Sequence, residues 1–237
     1  MEWKISDQDI QVVEELLLPH SAHFPDDARE VIRCWHSTDV AACPGSGKTT
    51  VLLAKLKLLA DRMPLENGAG ICVLSHTNVA VNEIKNRLSD YADRLLSYPN
   101  YIGTIQSFVD RFLAIPYLQI VFGRNIHVVD DLTYAQNVLN KMENNGKYSA
   151  LKYVVDVNFK PGKQFKTKLD YIKNLYLNGN GDLCVRKRNR ILAHADKKSA
   201  KQFRILSEDV LKSEGVIRYQ DAYAYARVAI NELPVEY

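Results

Sequence analysis

Residues 42–49 read Ala-Cys-Pro-Gly-Ser-Gly-Lys-Thr, a glycine-rich turn that follows a short apolar run and precedes an amphipathic helical pattern. Gly45 and Gly47 allow backbone conformations that a β-carbon would forbid, so consecutive N–H groups can point at one anion. A helix that begins near Gly47 adds the positive end of its dipole. The stretch therefore predicts a phosphate-binding loop, called the P-loop below.

Each polar residue of the P-loop has an expected role in binding ATP. The Lys48 ammonium would reach the β and γ phosphates, and the Thr49 hydroxyl would hold a Mg²⁺ ion that bridges them, which makes Lys48 and Thr49 the candidate catalytic residues. The candidate ATP-binding residues are Ala42, Cys43, Pro44, Gly45, Ser46, Gly47, Lys48, Thr49 and Thr50.

The P-loop motif usually begins with Gly, and this chain has Ala42 there, so a plain glycine-rich loop with a chance lysine is the alternative. The flanking pattern favours the P-loop. Residues 37–42 are able to form a short strand, and residues 48–63 have helical spacing. Strand, loop and helix then follow in the required order.

The composition is that of an ordinary globular chain of 237 residues, of which 46% are hydrophobic. The sequence starts with neither a basic nor an apolar segment of the signal-peptide kind, and no apolar run approaches the roughly 20 residues that a membrane span needs. We therefore expect a cytoplasmic protein without a membrane partner. The four cysteines have no paired spacing, which favours reduced thiols over disulfides.

Positive charge is concentrated in one part of the chain. Residues 160–204 contain thirteen Lys and Arg against three Asp, although the formal net charge of the whole chain is only +3. A lysine-rich face is often just a solvated surface. Beside a nucleotide-binding loop, the same charge favours a polyanionic partner such as nucleic acid.

Two helices are predicted before the P-loop. Ser6 and Asp9 form an approximate capping box for a helix over residues 10–17. A second helix over residues 28–36 has Asp26 or Asp27 as its candidate cap.

Two further strand-loop-helix units are predicted after the P-loop helix. Residues 71–74 are a short apolar run of the kind buried in parallel sheets, and residues 75–78 lead from it into a helical pattern. Residues 101–104 repeat the arrangement before an aromatic-bearing helix at 106–113. Three β-to-α steps predict an α/β fold, a parallel sheet covered by helices, with its polar loops at one edge. The alternative for Asn78 and Thr104 is that each only caps a helix.

Three segments together resemble the early motifs of superfamily 1 DNA helicases of the UvrD, Rep and PcrA type. Residues 42–49 look like their Walker A box, which commonly starts with Ala. Residues 74–84 are similar to their Thr-Phe-Thr-Asn-x-Ala-Ala-x-Glu-Met segment, and residues 103–108 resemble their Gly-Thr-Phe-His-Ser-Phe segment. Both segments touch single-stranded DNA in that family. The resemblance therefore implies DNA contacts by Thr77, Asn78, Thr104 and Ser107.

A fourth match lies at residues 215–222, which look like the family's Gly-x-hydrophobic-x-Phe-x-Asp segment. The resemblance spans residues 26–237 and is architectural only between 115 and 214. It implies a P-loop RecA-like ATP-binding domain, 1A, at residues 1–114 with a helical N-terminal segment. A basic, mostly helical 1B-like insertion follows at residues 115–214, and residues 215–237 return to the 1A domain.

The sequence departs from the family pattern at several positions. Ala28 stands where the family usually has an adenine-recognising Gln, Gln106 replaces a usual His, and His76 replaces a usual Phe. The chain stops about where the Walker B strand with Asp-Glu-x-x-Asp would begin. We therefore expect the polypeptide alone to bind nucleotide weakly at best and to turn over ATP negligibly. It would be either a fragment of a longer helicase or a short product that needs a partner carrying the C-terminal half.

The basic insertion combines cations with aromatic residues between positions 162 and 190. Apolar residues at 169, 172 and 176 have helical spacing and more often belong to a core than to a base-stacking platform. The better candidates for contacts with DNA phosphates are Arg186, Lys187, Arg188 and Arg190.

The motifs together favour the ATP-binding N-terminal portion of an ATP-dependent DNA helicase or translocase, which moves along single-stranded DNA and unwinds duplexes. The implied cofactors are ATP and Mg²⁺, and the implied partners are single-stranded DNA or single-strand/duplex junctions. Two alternatives stay open: the motor part of a helicase-nuclease, and a non-catalytic nucleic-acid-binding remnant. A kinase or small GTPase is disfavoured, because neither family has motifs that correspond to the segments at 74–84 and 103–108.

Overall fold

The structure is a computed structural model that describes residues 4–43, 45–123, 126, 128–186 and 190–232. The chain divides into two units, one up to Ile105 and the other from Gln106 onward. Each unit has its own cluster of buried apolar side chains. Both units are mixed α/β and mostly helical.

The first unit is a set of helices around a short parallel sheet. Its elements are α1 (Asp7–Leu17), α2 (Asp26–Arg33), α3 (Lys48–Asp61), β1 (Cys72–Ser75), α4 (Val79–Arg87), α5 (Ser89–Leu96) and β2 (Tyr101–Thr104). Helix α3 contacts α1, α2 and α5. Its buried residues include Leu53, Leu56 and Leu58, so the helix that follows the P-loop lies in the core of this unit.

The first two helices begin in different ways. The predicted capping box of α1 is confirmed, because the Asp9 N–H donates to Ser6 Oγ and the Ser6 N–H donates to the Asp9 carboxylate. The predicted cap of α2 is wrong. Pro25 is its N-cap residue and makes no side-chain capping hydrogen bond, although the Asp27 carboxylate accepts the Ala28 N–H at 2.8 Å within the first turn. Asp26 and Asp27 lie in the first turn instead, where a carboxylate still favours the positive end of the helix dipole.

The parallel pairing of β1 with β2 confirms the two predicted strands. Cys72 is opposite Tyr101 in this register, and Ser75 is opposite Thr104. Because the strands are parallel, their carboxyl ends and the polar residues that follow lie at the same edge.

The strand predicted over residues 37–42 is wrong. These residues are exposed and belong to no strand. A strand needs a neighbour for its backbone N–H and C=O groups, and in the described part of the first unit β1 and β2 pair only with each other. The structure therefore shows a small parallel sheet and not the full RecA-like sheet that the sequence suggested.

The second unit is mostly helical and contains two small sheets. Its elements are α6 (Ile105–Val109, which begins at the boundary), α7 (Ile115–Phe122), β3 (Val128–Val129), α8 (Asp131–Asn144), α9 (Ser149–Asn158), α10 (Lys168–Ile172), β4 (Leu175–Leu177), β5 (Leu183–Val185), β6 (Arg190–Ile191), α11 (Lys197–Glu214), β7 (Val216–Ile217) and α12 (Tyr219–Glu232). A π-helical turn, Asp110–Ala114, joins α6 to α7.

An antiparallel sheet of β4, β5 and β6 was not foreseen from the sequence. Helix α10 has only five residues, and Leu175 and Tyr176 lie on β4 instead of continuing the helix. The connection to β5 is a turn in which the Asn178 side-chain oxygen Oδ1 accepts the N–H groups of Asn180 and Asp182. These side-chain bonds stabilise the turn and so favour the hairpin over helix continuation.

The core of the second unit contains the apolar positions of the basic insertion. Phe165, Tyr171 and Ile172 are buried, and Leu169 packs against the same cluster. This agrees with the preference for core over a base-stacking platform. Tyr176 is half-buried, with the Arg186 guanidinium 5.4 Å from the centre of its ring.

The segment after residue 214 packs against elements of the second unit. Strand β7 pairs in parallel with β3 and contacts α8 and α11, and α12 contacts α7 and the π-helical turn. The assignment of residues 215–237 to a returning 1A domain stays a prediction. No helix in the described ranges is long and apolar enough to cross a membrane.

Candidate nucleotide-binding site

The P-loop has the backbone that its glycines predict. Gly45 and Gly47 both have φ of +82°, in the left-handed region that residues with a β-carbon rarely adopt. Gly47 is the N-cap residue of α3, so the positive end of that helix begins directly at the loop. The turn is closed by a hydrogen bond from the Ser46 N–H to the Cys43 carbonyl. Pro44 lies outside the described residues.

The Lys48 ammonium lies against the loop itself. Its Nζ donates to the carbonyl oxygens of Ala42 and Cys43, each at 2.7 Å. These carbonyl groups are exposed neutral acceptors. A phosphate oxygen is a stronger partner for an ammonium than a carbonyl, because both groups are then charged.

A cleft of about 540 Å³ joins the P-loop to the segment after β1. The P-loop contributes Gly45, Gly47, Lys48 and Thr49, and the opposite side is formed by Ser75, Thr77, Val79, Glu83 and Arg87. A volume of this size is in the range of roughly 300–1,000 Å³ that is typical of small-molecule sites. The P-loop and the first of the two predicted DNA-contacting segments therefore face one common space.

Glu83 and Arg87 were not foreseen as members of this site. The spacing of Val79, Glu83 and Arg87 is i, i+4, i+8, which puts all three on one face of α4. This spacing is visible in the sequence, because the helical pattern begins directly after Asn78. What the spacing does not show is that this face of α4 points toward the P-loop.

Arg87 connects three helices at the rim of the cleft. One of its terminal nitrogens donates to the Leu17 carbonyl at the end of α1, at 2.7 Å, and the other donates to Thr50 Oγ1 in the first turn of α3, at 3.3 Å. The Glu83 carboxylate lies 3.9 Å from the same guanidinium. Arg87 therefore holds the start of the P-loop helix against α4.

Lys55 fixes the other side of α3. Its ammonium donates to the carbonyl oxygens of Val31 and Cys34 at the end of α2, and it lies 4.8 Å from the centre of the Trp35 ring. Burial lowers the pKa of Lys55 below its ordinary value, and the nearby Cys34 opposes that change. These contacts hold α2 against the helix that carries the P-loop.

Asn78 does not cap α4, so the helix-cap alternative is wrong for this residue. It occupies the N-cap position with φ of −69° and ψ of −7°, but its side chain makes no capping hydrogen bond. Thr77 precedes it with an exposed side chain, and its N–H donates to Ser75 Oγ at 3.3 Å. The polar groups of both side chains are accessible to solvent.

The other predicted DNA-contacting residues are spread over both units. Thr104 ends β2 beside Ser75, and Ser107 is exposed on α6 in the second unit. Arg186 and Arg190 are exposed at the end of β5 and on β6. Lys187 and Arg188 lie outside the described residues.

The residues of the cleft suit the phosphates and the Mg²⁺ ion of a magnesium nucleotide. The left-handed glycines, the helix terminus and Lys48 are suited to phosphate oxygens. Thr49 has a hydroxyl in the cleft that suits Mg²⁺, and Glu83 is the carboxylate among its described lining residues.

Comparison with known proteins extends this result. The UvrD/REP helicase N-terminal domain family matches residues 26–226. The chain is also similar to the Gabija protein GajB of Bacillus cereus (strain VD045), with 29% identity over 130 residues, which is 55% of this chain and 25% of that protein. This chain therefore spans only part of the length of that relative. No solved structure matches it significantly. Because the family match covers most of the chain, this protein belongs to the UvrD/REP helicase N-terminal domain family.

Proposed function

We propose that this chain is the ATP-binding portion of an ATP-dependent DNA helicase or translocase. The observation that carries the proposal is the common cleft of the first unit, in which Lys48 and Thr49 of the P-loop face Thr77 of the segment after β1. The family membership supports the same conclusion.

The chain's own residues divide the work of binding ATP. The N–H groups of the loop and the Lys48 ammonium bind the β and γ phosphates, and Thr49 is the hydroxyl that holds Mg²⁺. Mg²⁺, when bound, neutralises charge that develops on the phosphates. Arg87 keeps the first turn of α3 in place through Thr50, so the phosphate-binding groups are positioned before the nucleotide arrives.

The segment after β1 connects the nucleotide-binding cleft to a proposed DNA contact. Thr77 lines the cleft beside the P-loop, and Asn78 is the next residue along the chain, at the start of α4. If nucleotide binding moves Thr77, it also moves Asn78, the adjacent residue and a proposed DNA contact. Single-stranded DNA is the proposed partner of Thr77, Asn78, Thr104 and Ser107.

Replacing Lys48 with alanine is expected to weaken the binding of a fluorescent ATP analogue by at least about tenfold, since a charge-assisted hydrogen bond to phosphate is removed. The dissociation constant measured by fluorescence titration with Mg²⁺ checks this. Lys85→Ala is the matched control, because Lys85 is exposed on α4 and is not part of the cleft. Equal affinities for the two variants would contradict the proposal.

Replacing Asn78 with alanine is expected to weaken the binding of single-stranded DNA by about threefold to tenfold, the effect of removing one or two hydrogen bonds. Fluorescence anisotropy of a labelled oligonucleotide at one fixed salt concentration measures the effect. Asn82→Ala is the control, since Asn82 is exposed on the same helix outside the cleft. Binding of the ATP analogue should be unchanged in both variants. A loss of DNA affinity that is as large for Asn82→Ala would refute a specific role of Asn78.

A further inference from the structure

A second concave site lies in the second unit, between the end of α9, the loop that follows it, and strands β5 and β6. Its lining includes Phe165, Tyr171 and Leu192, all of which are buried. Its rim carries the cations Lys160, Lys163 and Arg190. We call it the 160/163/190 pocket.

The two lysines of this pocket are held together by a tight turn. Gly162 has φ of +76°, and its N–H donates to the Phe165 carbonyl at 3.2 Å, while the Lys163 N–H lies 3.5 Å from the Lys160 carbonyl. The turn brings both lysines to one side of the loop, although they are three residues apart in sequence. Phe165 anchors the turn to the core below it.

Arg190 is brought to the same rim by the sheet and by an asparagine. Arg190 is opposite Val185 in the antiparallel pairing of β6 with β5. At the end of α9, Asn158 donates to the Ala193 carbonyl and accepts the Ala193 N–H, at 2.8 and 3.0 Å. These two hydrogen bonds fix the chain just after β6 to α9, and thereby place Arg190 beside the lysine turn.

The charges at this rim are not compensated. No Asp or Glu lines the pocket, and none of the three cations forms an ion pair within the described residues. Other lysines of the same unit behave differently. Lys168 pairs with Glu143 and Asp156 at 2.6 and 2.7 Å, and Lys141 contacts Asp209 and Glu214 at 3.2 and 3.3 Å. The 160/163/190 pocket therefore has three cations that lack an acidic partner in the described part of the chain.

The size of the pocket limits what it holds. Its volume is about 220 Å³, which is below the roughly 300–1,000 Å³ of a typical small-molecule site. A phosphate group fits such a space better than a whole nucleotide does. Ammonium and guanidinium groups are the side chains that bind phosphate oxygens most strongly.

We propose that the 160/163/190 pocket binds a phosphate group of a nucleic-acid strand. This inference rests on the proposed function for the identity of its ligand, but it uses residues in a different unit from the P-loop. It adds Lys160 and Lys163 to the predicted phosphate contact of Arg190 and makes these three residues one site instead of a diffuse basic surface.

The test uses the full chain with Lys48→Ala, so that phosphate binding at the P-loop is suppressed. Binding of a labelled single-stranded oligonucleotide is measured by anisotropy for this protein, for the same protein with Lys160→Gln and Lys163→Gln, and for a control with Lys198→Gln and Lys201→Gln. The control lysines are exposed on α11 and do not line the pocket, and the change in net charge is identical. Far-UV circular dichroism verifies that all three proteins are folded.

The pocket variant is expected to bind about tenfold or more weakly, which corresponds to the removal of two charge-assisted hydrogen bonds, and the control about twofold more weakly at most. The slope of log affinity against log salt concentration should also decrease by about 0.7 for each phosphate of a single strand that the variant no longer neutralises. Arg190→Gln in place of the lysine pair should reproduce the loss of affinity. Equal weakening in the pocket variant and the control would overturn the proposal, since it would show only a diffuse charge effect.

Further arms identify the source of the phosphate. A 5′-phosphorylated oligonucleotide that binds more tightly than its 5′-hydroxyl form, with the difference removed by Lys160→Gln and Lys163→Gln, assigns the pocket to a strand end. Equal binding of the two forms, with the loss of affinity still specific to the pocket variant, assigns it to the backbone. If only the binding of inorganic phosphate depends on the pocket, a nucleic-acid ligand is refuted.

Binding of the ATP analogue separates this proposal from the proposed function. With Lys48 intact, the pocket variant should bind the analogue as tightly as the wild type. Binding of the analogue to the Lys48→Ala protein therefore tests only the proposed ATP-binding function. Binding of the oligonucleotide to the pocket variant tests only the 160/163/190 pocket.

Discussion

Replacing Arg218 with methionine is expected to destabilise the second unit by about 2–3 kcal/mol, because the hydrogen bonds of a buried guanidinium are lost. Arg218 is only 5% exposed. Its guanidinium donates to both oxygens of the Asp221 carboxylate, at 2.8 and 3.0 Å, and to the carbonyl oxygens of Lys173 and Leu175. It also lies 4.7 Å from the centre of the Tyr134 ring.

The methionine side chain replaces the volume of Arg218 but none of its five donors. The buried Leu175 carbonyl then loses its charged donor, which costs the free energy of an unsatisfied polar group, and the Asp221 carboxylate, which is 31% exposed, loses its ion pair. The same arginine connects the start of β4 to the segment after β7, which are more than 40 residues apart. Its replacement should therefore loosen the packing of α12 in addition to removing these hydrogen bonds.

Urea unfolding followed by far-UV circular dichroism measures this change as a difference in the free energy of unfolding. Arg204→Met is the control. Arg204 is exposed on α11, and we expect a change of less than about 0.5 kcal/mol. Adding Asp221→Leu to Arg218→Met should recover part of the stability, since the unpaired carboxylate is removed. An Arg218→Met protein as stable as the Arg204→Met control would show that the hydrogen bonds of Arg218 contribute nothing to stability.

Replacing Glu14 with glutamine is expected to destabilise the first unit by about 3 kcal/mol at neutral pH. The Glu14 side chain is 4% exposed. Its Oε1 accepts the Phe24 N–H and an Arg29 donor, at 2.8 and 2.9 Å, and its Oε2 lies 2.8 Å from His23 Nδ1. Glutamine has one acceptor oxygen and no charge, so it cannot satisfy all three partners.

The destabilisation should depend on pH in a defined direction. Burial alone would raise the pKa of Glu14, but the hydrogen bonds from His23, Phe24 and Arg29 outweigh it, so the pKa is below its ordinary value in the folded protein. A carboxyl with a lowered pKa stabilises the folded state above its unfolded pKa, which is about 4.3 for glutamate. That contribution disappears as the pH falls through the lower, folded value. The difference between wild type and Glu14→Gln should therefore shrink as the pH is lowered from about 5 toward 3.

Tryptophan fluorescence is a suitable probe, because Trp3 and Trp35 are the two tryptophans of the chain and both belong to its first 105 residues. Glu15→Gln is the control, as Glu15 is exposed on α1 and its side chain accepts a hydrogen bond from Gln11 on the same helix. Its stability should differ from that of the wild type by less than about 0.5 kcal/mol at every pH. A Glu14→Gln deficit that is the same at pH 3 as at pH 7 would contradict the role of the ionised carboxylate.

The sequence was a good guide where structure depends on near neighbours. The left-handed glycines of the P-loop, the capping box of Ser6 and Asp9, and the two strands of the parallel pair all follow from patterns a few residues long. The helicase resemblance rests on such patterns too, and the family match over residues 26–226 confirms it.

It was a poor guide where one segment depends on another that is distant in the chain. Residues 37–42 have an acceptable strand pattern but no partner strand among the described residues, and Tyr176 has helical spacing but lies on a strand that pairs with β5. A backbone segment takes the form in which its hydrogen-bonding groups are satisfied, and that depends on which neighbour is available.

By itself, the sequence determined the left-handed glycine turn at residues 42–49 and the motifs of a UvrD-type helicase, because glycine spacing and local helix and strand signals act within a few residues. Only the tertiary structure decided that Glu83 and Arg87 face that loop, that Arg218 bonds the carbonyl groups of Lys173 and Leu175, and that Lys160, Lys163 and Arg190 share one pocket. The physical reason is that such groups meet through the packing of whole elements, and burial and charge pairing are properties of the packed chain and not of any short stretch of it.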